Sequence, residues 1–248
     1  MAKAFTTRFP LQVLARITAL WAFRCNRSRG IRSISSAMEW YRKKSWSITD
    51  EKDFFERLGG ARKSSRPQYL KIQAIELLTT DQPRLLDVAE SLLLKYLKEF
   101  PDESFHRSSV LHALGDIENR RQNSLKALNY FDLALSAERE FPQVKTQAYL
   151  DYSEIVIKTK NVDLFGRVKE LLMDRMDGLL FPIEKYKIFS ILSVMSQHDG
   201  DAAKSKEFAE FADQNATAET SGLRYHKHLG LVEERDSWLD RLVKSPRK

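Results

Sequence analysis

The chain has 248 residues, 42% apolar and 30% charged, which fits a folded protein of one or two domains. Its formal charge of +7 points to nucleic acid only until the charge is located, because Lys3, Arg8, Arg16, Arg24, Arg27, Arg29 and Arg32 all fall in the acid-free stretch 1–38. The remaining basic and acidic residues balance, so a polyanion-binding field over the body is not supported, and a local basic patch at Arg62, Lys63, Arg66 and Lys71 is what remains. The one cysteine, Cys25, lies in the leader, so the body has no disulfide framework, thiolate metal site or cysteine nucleophile.

Residues 1–37 are Arg-rich, Ser-bearing and acid-free, the composition of an organelle transit peptide. The composition changes at Met38-Glu39-Trp40-Tyr41, so Met38 is the other candidate start. A transit peptide implies the mitochondrial matrix, and a start at Met38 implies the cytoplasm. The apolar run from Leu11 to Phe23 is broken by Arg16 and is too short to span a bilayer, so no membrane partner is expected.

Residues 38–66 read as a lead-in. Asp50 or Thr49 is the expected cap of a helix through Phe54, Phe55 and Leu58, ended by Gly59-Gly60 and succeeded by a basic linker, 61–66. Trp40, Tyr41 and Trp46 read either as a cover for the open apolar end of a helical array or as a docking motif.

The dipeptide Phe-Pro then recurs at Phe100-Pro101, Phe141-Pro142 and Phe181-Pro182, near-equal spacings that mark one supersecondary unit used repeatedly. In the first unit, about 67–100, Tyr69, Ile72, Ile75 and Leu78 form one helical stripe and Leu86, Ala89, Leu93, Tyr96 and Leu97 a second, with Asp81 as the expected cap between them. The second unit, about 102–141, reads Val110-Leu111-His112-Ala113-Leu114-Gly115-Asp116-Ile117 and then Ala127-Leu128-Asn129-Tyr130-Phe131-Asp132-Leu133-Ala134. Asp116 and Glu118 read as solvated. In the third, about 143–181, Tyr149, Tyr152 and Ser153 align with Leu111, Leu114 and Gly115, and Leu164, Val168, Leu171 and Leu172 come next. In the fourth, about 183–216, Phe189, Leu192 and Ser193 take the same positions, with Ser205, Ala209 and Ala212 as small residues on the next helix. Residues 217–248 read as terminal capping helices, with Asp240, Arg241 and Lys244 as polar cover. No alternating strand pattern occurs.

Leu111, Leu114, Gly115, Ala127, Phe131 and Ala134 carry a resemblance to the tetratricopeptide repeat (TPR) family, strong in the second unit and weaker in the other three. Two departures are Glu118, where the family has an aromatic, and a closing proline three residues late; the longer period also suits HEAT and armadillo arrays. The resemblance implies an all-α fold, a right-handed α-solenoid of antiparallel helix pairs over 67–216. It implies that Gly115 and Ala127 face each other at the helix crossing and that Phe131 wedges the next unit. It also implies a concave groove lined by first helices, presenting Ser109, His112, Asp116, Asn119 and Arg120 from the second unit and Gln147, Leu150, Glu154 and Lys158 from the third. His112 and Asp116 stand where the peptide-carboxylate clamps of the family have Lys and Asn, so that clamp is not expected here.

Catalytic motifs are sparse. Gly59-Gly60 lacks the strand, Lys and Ser/Thr of a phosphate loop, and His226 and His228 are two apart and point to different sides of a helix. No catalytic residue, metal or cofactor is expected. The expected function is a non-enzymatic protein–protein interaction scaffold or adaptor holding a peptide or helix in the groove, with neither nucleic acid nor a small molecule as ligand. The alternative is a helical-repeat RNA-binding regulator, which needs a basic stripe.

Overall fold

A computed structural model describes residues 40–80 and 82–243. The expectations for 1–37, Met38, Asp81 and Lys244 lie outside the described residues. All regular structure among the described residues is helical, with no strand. Two compact units form, 40–146 and 147–243, dividing close to the expected start of the third repeat.

The first unit contains α1 (Ile48–Gly60), α2 (Arg66–Leu78), α3 (Pro83–Glu99), α4 (Arg107–Arg120) and α5 (Ser124–Glu140). α2 packs on α3 and α4 on α5, and α3 against α4 joins the pairs. The cap of α1 is Ser47, not Asp50 or Thr49. Its hydroxyl accepts from the Asp50 N–H at 3.1 Å while the Asp50 carboxylate accepts from the Ser47 N–H at 2.9 Å, a reciprocal capping box. The Ser47 N–H and hydroxyl hold the Asp50 carboxyl down at about 2. The helix ends at Gly60, as expected, with Ala61 extended after it. The expected linker is short and ordered: a single 3-10 turn, Lys63–Ser65, leads into α2, and Arg66 donates to the carbonyls of Gly59 (2.6 Å) and Ala61 (3.1 Å) at the end of α1.

Trp40 and Tyr41 pack inward. The Trp40 ring lies 5.4 Å from Phe54 and 5.0 Å from Tyr69, and both residues cover the core of α1 to α4. α2 has the expected period but a different face. Leu70, Gln73, Ala74 and Leu77 are fully buried, whereas Tyr69, Ile72 and Ile75 are only partly so. Gln73 explains the shift: its amide accepts from the Lys43 N–H (3.0 Å) and donates to the Lys43 carbonyl (2.7 Å), satisfying a polar group inside the core.

At α4–α5 the nearest approach to Gly115 is by Phe131. A Cβ on Gly115 would lie 2.4 and 2.5 Å from the Cε1 and Cδ1 atoms of the fully buried Phe131 ring. Glu118 is buried rather than solvated, at 3% exposure. It pairs with Arg121 (3.1 Å), which also holds Asp87 (2.5 Å) and Glu90 (2.8 Å) of α3. An ionic tie between α3 and α4 thus stands where the TPR pattern has an aromatic.

The second unit contains α6 (Ala148–Thr159), α7 (Phe165–Met173), α8 (Pro182–His198), α9 (Ala202–Ala216) and α10 (Ser237–Leu242). α7 has only nine residues, so Phe100 and Phe141 end long helices while Phe181-Pro182 starts one. Offsetting the chain so that Gly115 falls on Ser193 places Ala127 on Ser205, Phe131 on Ala209 and Ala134 on Ala212. The two pairs solve one packing problem differently. With the small Ala209 in place of a ring, α8 can carry Ser193, whose hydroxyl donates to the Ser205 carbonyl of α9 at 2.7 Å.

The tail is not helical throughout. Residues 217–236 run in turns, and only α10 is helical. The Ser221 N–H donates to the Lys227 carbonyl (2.6 Å) and its hydroxyl to the His226 carbonyl (2.9 Å). Gly230, at φ +74°, lies so close to the Phe181 ring that a Cβ would fall 2.4 Å from it, and its carbonyl accepts from the Ile183 N–H at 2.9 Å. Helical continuation through these residues would forfeit that seat on the start of α8.

Candidate functional site

The residues expected to line a groove lie on separate units, five on or beside α4 and four on or beside α6, and most are engaged internally. Arg120 donates to the Leu78 carbonyl at the end of α2 (2.8 Å) and pairs with Asp116 (2.8 Å). The His112 ring centroid lies 5.5 Å from that of Phe131. Ser109 and Asn119 are partly exposed. In the second unit, Gln147 precedes α6 and donates to the Glu184 carboxylate (2.6 Å), while Leu150 is buried.

Glu154 is also buried, and receives the Lys187 ammonium at 2.6 Å; Asp236 lies 3.4 Å from the same nitrogen. Burial works against the charge on Lys187, yet the Glu154 and Asp236 carboxylates hold it above the ordinary lysine range. Burial pushes the Asp236 carboxyl up, and one of its oxygens accepts no hydrogen bond. Tyr186 donates to Asp240 (2.8 Å) and accepts from the Asp236 N–H (3.0 Å), so the network fastens α10 to α8. Asp240 is therefore a structural anchor, beyond the polar cover expected of it. Lys158 alone of the α6 set reaches outward, its ammonium 4.3 Å from the Trp238 ring. The basic patch is dispersed: Arg66 is spent on α1, and Lys71 is half-buried against His106 at 3.0 Å.

A cleft of about 310 Å³ opens between α1 and α3 in the first unit. Its floor is apolar, with Trp46 before α1, Phe55 on α1, and Val88 and Leu92 on α3. Glu51 and Phe55 share one face of α1 at i,i+4 spacing, and Ile48, 85% exposed, extends that face. Arg84, Val88, Leu92 and Lys95 keep the same spacing on α3. The rim has both signs of charge. The Lys95 ammonium stands 5.5 Å from the Phe55 ring and pairs with Glu99 at 2.6 Å. The Glu51 and Arg84 side chains make no hydrogen bond or ion pair among the described residues. Periodicity assigns Phe55 to a helix core and does not reveal the cleft, because its two faces come from helices separated by α2.

Among the described residues, no cluster of three or more His, Cys, Asp or Glu side chains is arranged to hold a metal, and no helix is long and apolar enough to cross a membrane. No protein-family model matches the chain, and comparison with curated proteins and with solved structures finds no match.

Proposed function

We propose that the protein is a non-enzymatic interaction module built from TPR-like antiparallel helix pairs, and that its partner is an amphipathic peptide or helix seated in the α1–α3 cleft. The observation that carries this reading is the composition of the cleft: an apolar floor of aromatic and branched side chains beneath a rim where Glu51 and Arg84 lack partners. Apolar anchors in a groove supply affinity, and flanking charges of both signs set direction and register. The recurrence of the Gly115/Phe131 pattern as Ser193/Ala209 supports the repeat character of the scaffold. Charge on the rim selects a segment with an acidic residue for Arg84 and a basic one for Glu51, flanking apolar residues.

Selection of peptides from a displayed random library on the full chain tests this. Selected peptides should share that pattern and bind about tenfold or more weakly to Ser91→Arg, a loss of roughly 1.4 kcal/mol or more. Ser91 is exposed and lines the cleft, so the variant fills the site without disturbing the core. Equal binding to the variant would refute the cleft as the seat.

A further inference from the structure

Residues 236–240 meet α6 and α8 through one side chain at a time. Leu239 is fully buried and is the anchor. The half-buried Trp238 ring lies 4.3 Å from the Lys158 ammonium of α6. Asp236 reaches the Lys187 ammonium of α8 at 3.4 Å, and its N–H donates to the Tyr186 hydroxyl at 3.0 Å. That hydroxyl donates in turn to Asp240 at 2.8 Å. Ser237 alone of the five is exposed. An acid, an aromatic, a branched aliphatic and a second acid thus each find one complementary group, which is how a short peptide is read.

The seat is held together without its occupant. Lys187 makes its closer contact, 2.6 Å, with Glu154 of α6, and Lys158 pairs with the same carboxylate at 3.4 Å. The segment that carries the tail to the seat, 217–236, contains no helix. α10 has six residues, too few to be a stable helix on its own, so it is helical only while seated. Its ionic hold is imperfect, because one Asp236 oxygen accepts no hydrogen bond and a buried ion pair fixes position more than it adds stability. A short terminal element held in this way opens before the longer helices beneath it.

We propose that Lys158, Tyr186 and Lys187 form a second binding site, filled in the free protein by the chain's own tail, for a partner segment that presents an acid, an aromatic, a branched aliphatic and an acid as 236–240 does. Tail and partner compete for one seat. Tethered through 217–236, the tail acts at an effective concentration on the order of millimolar, and it therefore sets the threshold that a partner must exceed. The seat lies wholly within the second unit, shares no residue with the α1–α3 cleft, and stands whether or not that cleft binds a peptide.

Fluorescence anisotropy of a labelled peptide copying 231–243 tests this on the full chain. Trp238→Ala with Leu239→Ser releases the tail and leaves the seat unaltered. A seat filled by its own tail nine-tenths of the time shows about a tenth of its intrinsic affinity, so the released chain should bind the peptide about tenfold or more tightly than the unaltered chain. Adding Lys158→Glu, at an exposed position, should remove that gain. Equal binding to the released and unaltered chains would overturn the proposal, and a gain that survives Lys158→Glu would overturn the assigned seat. Should the released chain lose helix content by circular dichroism, hydrogen exchange on the unaltered chain decides. Saturating peptide should speed exchange of the α10 amides and leave those of α8 unchanged; α10 exchange that does not respond would overturn the proposal. A dimer of the unaltered chain that the released chain loses would put a second copy in the seat and overturn the external partner.

Discussion

Gly115→Ala tests the helix-pair packing most directly. In an exposed helix the change would stabilise by roughly 1 kcal/mol, because alanine is the better helix former. Here the new methyl would sit 2.4 Å from a ring carbon of Phe131, and that ring is fully buried. Overpacking of this kind costs about 1–3 kcal/mol, so the net effect runs from neutral to about 2 kcal/mol destabilising. Phe131→Ala alone should cost about 3–5 kcal/mol as a large-to-small core change. With the ring removed the clash disappears, and Gly115→Ala should become stabilising by roughly 1 kcal/mol, reproducing the small–small arrangement of Ser193 and Ala209. A double-mutant cycle by urea denaturation, monitored by circular dichroism on the full chain, should thus return a coupling of about 1–3 kcal/mol. Additivity within about 0.5 kcal/mol would refute the Gly115–Phe131 contact as the determinant of helix approach.

Lys187→Met leaves the Glu154 and Asp236 carboxylates without their buried cation and should cost about 3–5 kcal/mol, whereas adding Glu154→Leu should recover part of that loss; both are read from denaturation midpoints. Because burial and the adjacent Lys71 depress the folded-state titration of His106 to about 4 from 6.5, the unfolded chain binds more protons between those values. Stability should therefore fall as pH drops from 6.5 through 4, and His106→Asn should flatten that part of the profile of the urea midpoint against pH. A difference of the opposite sign would show that His106 is charged in the folded protein.

Local rules carried the helical class and much of the element order. Helical spacing located α3, α4, α6, α8 and α9, and the Leu-Gly…Ala…Phe…Ala pattern marked residues that are all buried in α4 and α5. Local rules also misplaced what depends on a distant partner. Asp50 or Thr49 is the expected cap of α1 because both residue types cap helices, but Asp50 serves as the other half of the box with Ser47. The face of α2 was displaced because Gln73 counts as polar in a pattern while its amide is satisfied by the backbone of Lys43. Glu118 reads as solvated and Glu154 as groove-lining because nothing in their neighbourhood of the sequence announces Arg121's bridge to α3 or the arrival of Lys187.

The candidate sites belong to the same class. Trp46, Glu51 and Phe55 meet Arg84 and Lys95 across one cleft only once α2 and α3 have folded between and beside them, and Lys158 and Lys187 meet Trp238 and Asp236 only once α10 has returned to α8. Periodicity, capping and turn residues act over one or two helical turns, so the chain alone determined that it would form helices and where most of them would run. Which polar groups are buried, which are paired and which are left over is a property of contacts between helices, and only the tertiary structure decided it.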